Sequence, residues 1–143
     1  MLNPLFEAPY NYAPEENDMP PFACILHASF VVADTVVSLG FYRDVLGMRV
    51  LERPDLGFPG AWLGVGEQQL HLLEVENPDP IAGRPTHGGR DRHVAIAVDD
   101  IETLKQRLSE ANVAFTTSRS GRRALFCRDP DGNALEFIEV VGR

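Results

Sequence analysis

The sequence predicts an α+β domain made of two βαβββ units, with curved mixed sheets and the helices packed outside them. Three observations predict this fold. Residues 22–34 and 92–98 are apolar and rich in β-branched residues, as buried strands are. A helical apolar period and three further strand-like segments follow each of them. The two halves also align with each other, because a shift of 66 residues places His27 on His93 and a shift of 65 places His71 on Glu136.

The composition limits the classes of partner. A chain of 143 residues can form one domain with a hydrophobic core, and a net charge of -8 argues against a nucleic-acid partner. No segment approaches the roughly 18 apolar residues that span a bilayer, and the N-terminus does not resemble a secretory signal. We expect a cytoplasmic protein with a small-molecule substrate and no membrane partner. Cys24 and Cys127 are expected to be buried, reduced thiols.

The chain divides into an arm and one domain. Residues 1–21 contain five prolines and no regular apolar period, which predicts an extended N-terminal arm. Residues 22–143 form the domain, with units at about 22–76 and 91–141 and a linker at 77–90.

The first unit begins with the strand at 22–34, where Asp34 is a candidate N-cap. One helix should follow up to Gly47, a candidate for a left-handed C-cap, and Gly40 inside it suggests close packing. Strands are expected at 48–53, 61–65 and 68–75.

The second unit repeats this order from the strand at 92–98. Asp99 and Glu102 have the spacing of a capping box, and Asn112 occupies the predicted helix end. Strands are expected at 114–117, 123–128 and 134–140. A tight turn at 129–133 should place Gly132 at positive φ.

Strand alternation points four polar side chains away from the helices. His27 and His93 each share a face with small residues, and His71 and Glu136 oppose the leucines and phenylalanine that face the helix. A buried glutamate or histidine without a partner costs several kcal/mol, which a bound cation would offset. Three imidazoles and one carboxylate suit a divalent transition metal such as Zn, Ni, Fe, Co or Mn.

Candidate substrate-binding residues surround these four. Three arginines could hold an anion: Arg90, Arg92 and Arg122. Two aromatic residues could form an apolar wall: Phe58 and Trp62. His87, in the Gly- and Pro-rich linker, is expected to be solvated or to gate the substrate.

Three segments carry a resemblance to a known family. HASFVVADTVVSLGFYRDVLGMRV, RHVAIAVDDIETLKQRL and FCRDPDGNALEFIEV resemble the vicinal oxygen chelate superfamily, which includes glyoxalase I, bleomycin-resistance proteins and extradiol dioxygenases. The resemblance covers about residues 22–141. Residues 57–93 look closer still to a glyoxalase I-like group of plants and bacteria.

The resemblance implies a metal site with ligands from the first and last strands of each unit, which are His27, His71, His93 and Glu136. It also implies a homodimer in which the first two come from one chain and the last two from its partner. The implied activity is that of a lyase or isomerase acting on a small α-oxygenated substrate, for example a glutathione adduct, through a metal-bound enediolate. Glu136 would be the catalytic base, and glyoxalase I has Glu or Gln where this chain has His71.

Two alternatives remain open at this point. An extradiol-type Fe(II) dioxygenase would use three of the four residues. A non-enzymatic small-molecule binding or resistance protein would use an apolar groove without a metal.

Overall fold

The computed structural model describes residue 22 and residues 24–142, so the predicted arm at 1–21 lies outside the described residues. The described residues form eight strands: β1 (His27–Val32), β2 (Arg49–Leu51), β3 (Gly60–Val65), β4 (Gln68–Glu74), β5 (His93–Val98), β6 (Phe115–Thr117), β7 (Ala124–Arg128) and β8 (Ala134–Glu139). Two α-helices accompany them, α1 (Thr35–Leu39) and α2 (Ile101–Glu110). Within the described residues, no helix is long and apolar enough to cross a membrane.

The strands form two four-stranded sheets with the same topology. Their orders are β1-β4-β3-β2 and β5-β8-β7-β6, and in each sheet the first and last strands of the unit pair in parallel. The register repeats as well, since His71 lies opposite Ser29 and Glu136 lies opposite Ala95. The predicted fold class of two βαβββ units is confirmed.

The first helix differs from the regular helix that the sequence predicted. Asp34 caps it as expected, because its Oδ1 accepts hydrogen bonds from the amides of Val36 and Val37 at 2.8 and 3.1 Å. After Leu39 the helix widens into a π-helical segment, Gly40–Val45. The predicted close packing at Gly40 is wrong, since a Cβ built there would meet no heavy atom within 4 Å. Gly47 ends the helix at φ 77°, as predicted.

The second helix is capped one residue later than predicted. Asp100 accepts from the amides of Glu102 and Thr103 at 2.9 and 3.1 Å, so the predicted capping role of Asp99 is wrong. β5 ends at Val98 and α2 begins at Ile101, which makes Asp100 the residue that immediately precedes the helix. Asn112 has φ 55° and Gly132 has φ 82°, as predicted.

One hydrophobic core lies between the sheets and the helices. Its fully buried members include Leu63, Leu70, Leu72, Leu108, Leu125 and Leu135. Cys127 belongs to the core, and burial raises the pKa of its thiol to about 12. Cys24 is exposed, so its predicted burial is wrong. β1 begins only at His27, and Cys24 therefore precedes the part of the segment that pairs in the sheet.

A buried hydrogen bond links the two units. The Tyr42 hydroxyl, in the π-helical segment, donates to Asp129 Oδ2 at 2.7 Å in the turn that precedes β8. Asn133 in the same turn donates to the Val31 carbonyl at 3.1 Å. Burial raises the pKa of Asp129, while its hydrogen bonds from Asn133 and Tyr42 oppose that rise.

Two arginines hold the segment that leads into β5. Arg128 Nη1 donates to Asp91 Oδ2 at 2.8 Å, and Arg84 Nη1 lies 3.2 Å from Asp91 Oδ1. The bonds from Arg128 and then from Arg84 hold the pKa of Asp91 below its ordinary value of 3.8. Asp91 is two residues from His93, so this ion-pair cluster fixes the backbone at the start of the strand.

Candidate metal centre

The four predicted ligands form two pairs, one on each sheet. His27 on β1 meets His71 on β4, and His93 on β5 meets Glu136 on β8. Each pair comes from the two parallel strands of its unit. The repeat that was visible in the sequence is therefore also a repeat of side-chain positions.

The first pair belongs to a stack of three rings. His71 lies between His27, with ring centroids 4.1 Å apart, and Trp62, with centroids 4.4 Å apart. His71 Nε2 is also hydrogen-bonded to Gln69 Oε1 at 2.8 Å. Burial lowers the pKa of His71, and the neighbouring charges of His27 and Arg53 lower it further, so its surroundings favour the neutral imidazole.

The second pair brings a nitrogen and a carboxylate together. His93 Nε2 lies 3.2 Å from Glu136 Oε2, and Glu136 is nearly buried, with a side chain 6% exposed. Arg122, half-exposed, donates from Nη2 to Glu136 Oε1 at 3.4 Å. The other ring nitrogen of His93, Nδ1, lies 2.8 Å from the Asp91 carbonyl. Because a carbonyl only accepts, Nδ1 carries a proton, and Nε2 is the ring nitrogen that faces Glu136.

This second pair fits a divalent metal. A lone pair and a carboxylate that face each other repel unless a proton or a cation lies between them. Two ligand atoms at about 2.1 Å from one ion and at ordinary coordination angles are about 3.0 to 3.4 Å apart, and the observed separation is 3.2 Å. A histidine that donates its other N–H to a backbone carbonyl is the usual arrangement of a metal ligand.

One chain does not bring the two pairs together. Among the described residues, no group of three or more His, Cys, Asp or Glu side chains is placed to hold a metal ion. On both faces the outer strand is exposed, at His27 and Ser29 on β1 and at His93 and Ala95 on β5, whereas His71 and Glu136 on the inner strands are buried. The predicted convergence of four ligands is thus absent within the described part of a single chain, and each sheet carries one of the two pairs.

The predicted substrate-binding residues lie at different distances from these pairs. Trp62 contacts His71, and Arg122 contacts Glu136. Arg92 lines a cleft of about 270 Å³ together with His93, although its guanidinium is paired with Asp79 at 2.7 Å.

The last two predicted substrate-binding residues are Arg90 and Phe58. Arg90 is exposed at the end of a short 3-10 turn, Gly88–Arg90. Phe58 is half-buried beneath the Arg53 guanidinium, whose central carbon lies 4.9 Å from the ring centroid.

Sequence reasoning missed an aromatic position that both units share. Trp62 pairs with His71 across β3 and β4, and Phe126 pairs with Glu136 across β7 and β8. The Phe126 ring contacts His93 edge-on, with centroids 5.4 Å apart. Aligning the third strand of each unit would have revealed this position, because both residues are aromatic.

Two further polar neighbours were also missed. Gln69 bonds His71 from the same strand, two residues away and on the same face. His87, in the linker, has Nδ1 2.7 Å from Thr116 Oγ1 and its ring against Phe126, with centroids 4.7 Å apart. The alternation of β4 could have indicated Gln69, whereas no local pattern indicates the contact of His87.

Comparisons with known proteins identify the family and agree with the fold. The family model described as the Glyoxalase/Bleomycin resistance protein/Dioxygenase superfamily matches residues 24–137. A lactoylglutathione lyase of Haemophilus influenzae is 37% identical over 125 residues, covering 80% of this chain and 91% of its own. A lactoylglutathione lyase of Neisseria meningitidis serogroup A is 33% identical over 125 residues, covering 80% and 89%. A glyoxalase family protein of Bacillus anthracis has a similar solved structure, with a TM-score of 0.69, 24% identity and coverage of 85% and 98%.

Proposed function

We propose that this chain, which belongs to the glyoxalase/bleomycin resistance protein/dioxygenase superfamily, is a metal-dependent lyase or isomerase of the glyoxalase I kind. Several relatives carry the name lactoylglutathione lyase, which supports a lyase-like enzyme. The observation that carries the proposal is the pair of His93 and Glu136, 3.2 Å apart, with His93 Nδ1 anchored on a backbone carbonyl. The proposed substrate is a small α-oxygenated molecule, of which a glutathione hemithioacetal is an example.

The proposed site is shared between two chains of a homodimer. The exposed sheet faces around His27 and His93 support this arrangement, because each face carries only half of a ligand set. In the dimer, the first sheet of one chain would face the second sheet of its partner. The His27–His71 pair and the His93–Glu136 pair would then lie across one cavity.

The chemistry follows from the charges that such a site would hold. A bound divalent transition metal would stabilise negative charge on the substrate oxygens and so favour removal of a proton from the adjacent carbon. Glu136 is the carboxylate that can accept and return this proton, since Oε2 contacts His93 and Oε1 contacts the half-exposed Arg122. Arg122 can hold an anionic group of the substrate next to that base.

The test is a comparison of two glutamate variants on the same strand. Protein purified without chelator should contain stoichiometric transition metal, and Glu136→Gln should lose most turnover of hemithioacetals of several aldehydes. Glu139→Gln is the matched control, because Glu139 bonds Arg123 and the amide of Ile101, away from the site. Absence of metal in the reconstituted wild type, or equal turnover by Glu136→Gln and wild type, would refute the proposal.

A second candidate function is an extradiol-type dioxygenase. The hydrogen bond from His71 Nε2 to Gln69 favours it, because this bond occupies the nitrogen that would bind a metal. Without His71, the candidate ligands are two histidines and one carboxylate, the set that non-haem Fe(II) oxygenases use. Ring opening of catechols by the Fe(II)-loaded protein under oxygen would support this function. Inactivity toward catechols combined with hemithioacetal turnover would exclude it.

A further inference from the structure

His71 differs from the other candidate ligands in its surroundings. It is the middle ring of a stack whose members come from three adjacent strands, β1, β4 and β3. The His71 plane lies within 13° of the plane of His27 and within 6° of the plane of Trp62. His71 is 9% exposed, whereas His27 is exposed at the end of the stack. The stack therefore satisfies both faces of the His71 ring with protein atoms.

The nitrogen of His71 that reaches farthest from the backbone is already used. Nε2 lies 2.8 Å from Gln69 Oε1, an amide oxygen that only accepts, so Nε2 carries a proton and has no lone pair for a metal. His93 shows the opposite arrangement. Its Nδ1 donates to the Asp91 carbonyl, which leaves Nε2, the nitrogen that faces Glu136, to hold a metal. The two histidines thus use opposite nitrogens for their hydrogen bonds to accepting oxygens.

The stacking geometry also argues against joint ligation by His27 and His71. An imidazole binds a metal in the plane of its ring, along the nitrogen lone pair, at about 2.0 to 2.1 Å. Two rings that are nearly parallel, with centroids 4.1 Å apart, have separate planes. An ion in the plane of one ring therefore lies outside the plane of the other.

We infer that His71 is a positioning residue that orients the ring of His27 and does not bind the metal. This inference rests on the proposed function, and it reduces the ligand set to His27, His93 and Glu136. Gln69 fixes the ring from its edge and Trp62 supports its far face, so His71 offers His27 a rigid surface. Three protein ligands leave three positions of an octahedral ion open.

Three variants separate ligation from positioning. His71→Phe keeps an aromatic ring in the stack and removes both nitrogens, whereas His71→Ala removes the ring. His27→Phe is the matched control, because it makes the same change at the proposed ligand. Each protein is loaded with Co(II), and metal per chain, affinity by competition with a chromogenic chelator, and the visible Co(II) spectrum are measured. Trp62 is the only tryptophan of the chain, so its emission maximum reports the stack without metal.

We expect His71→Phe to keep wild-type Co(II) affinity, the wild-type Co(II) spectrum and the wild-type emission maximum. His71→Ala should lose about 10-fold in affinity, as is typical when a residue that orients a ligand is removed, and its Trp62 emission should shift to the red. His27→Phe should lose stoichiometric binding.

Two outcomes would count against different claims. The inference would be overturned, and His71 would be a ligand, if His71→Phe lost Co(II) as completely as His27→Phe does. A changed Co(II) spectrum in His71→Phe would have the same meaning. A wild-type protein that binds no Co(II) would instead overturn the proposed function, and with it every ligand set.

Discussion

Replacing Tyr42 by Phe should destabilise the protein, because it removes the buried bond between the two units. The Tyr42 hydroxyl is 2.7 Å from Asp129 Oδ2, and the two residues are 0% and 5% exposed. A hydrogen bond to a charged group contributes about 1.5 to 3 kcal/mol. Asp129 keeps three other donors, among them Asn133 Nδ2 on the same oxygen, and Phe leaves almost no cavity. We therefore expect a loss near the lower limit, about 1.5 to 2 kcal/mol.

This loss can be converted into a melting temperature. Unfolding entropies of about 2.1 cal/mol/K per residue give roughly 0.3 kcal/mol/K for 143 residues, so Tm should fall by about 5 to 7 °C. Equilibrium unfolding in urea, followed by Trp62 fluorescence and by circular dichroism, measures the free energy directly. The fluorescence reports the first unit and the dichroism reports both, so coincident curves would indicate one cooperative transition.

The control is the same substitution in an Asp129→Asn background. Without the carboxylate the remaining bond is neutral, so Tyr42→Phe should cost about half as much there. A cost below about 0.5 kcal/mol in the wild-type background, the range of ordinary surface substitutions, would refute the reasoning.

Three further predictions follow from the caps, the ion pairs and the thiols. Asp100→Ala should lower the free energy of unfolding by about 1 kcal/mol, and Asp99→Ala, the matched control, should leave it nearly unchanged in the same urea titration. Because Arg128 and Arg84 hold the folded-state pKa of Asp91 below 3.8, its stabilisation is present above that pH and is lost as the pH falls through the folded-state pKa. Asp91→Asn should therefore be less stable than wild type at pH 7, and the difference should disappear on acidification; a constant difference would contradict the ion-pair account. In the native protein, a thiol reagent should label Cys24 quickly and leave Cys127 unmodified until unfolding. Fast labelling of native Cys24→Ser, which keeps only Cys127, would contradict the burial of Cys127.

The repeat made the fold predictable, because two similar halves must bury similar faces. In β1, β4, β5 and β8, alternate apolar residues must pack in the core, and this alternation predicted the side-chain directions. It correctly assigned Leu70 and Leu72, but not His71, to the hydrophobic core. Helix ends were predictable where a single residue type suits the backbone, as at Gly47 and Asn112. In these places local chemistry and global packing favour the same arrangement.

Other features depend on contacts that no local pattern contains. Asp99 and Asp100 are chemically identical, and only the end point of β5 decides which of them caps the helix. Cys24 lies in an apolar segment, yet pairing in the sheet begins three residues later. The separation of the ligands into two pairs depends on how the sheets are placed within one chain, which the alternation of single strands does not determine.

The π-helical segment Gly40–Val45 accommodates a difference of one residue between the helices of the two units. The caps Asp34 and Asp100 are 66 residues apart, but the helix ends at Gly47 and Asn112 are 65 apart, so the first unit has one additional residue inside its helix. A π turn holds one residue more than an α turn, because its hydrogen bonds reach one position farther. The additional residue is thus accommodated by widening of the helix. The strands on either side kept their pairing, and His71 and Glu136 remained at equivalent positions although the two copies differ in length.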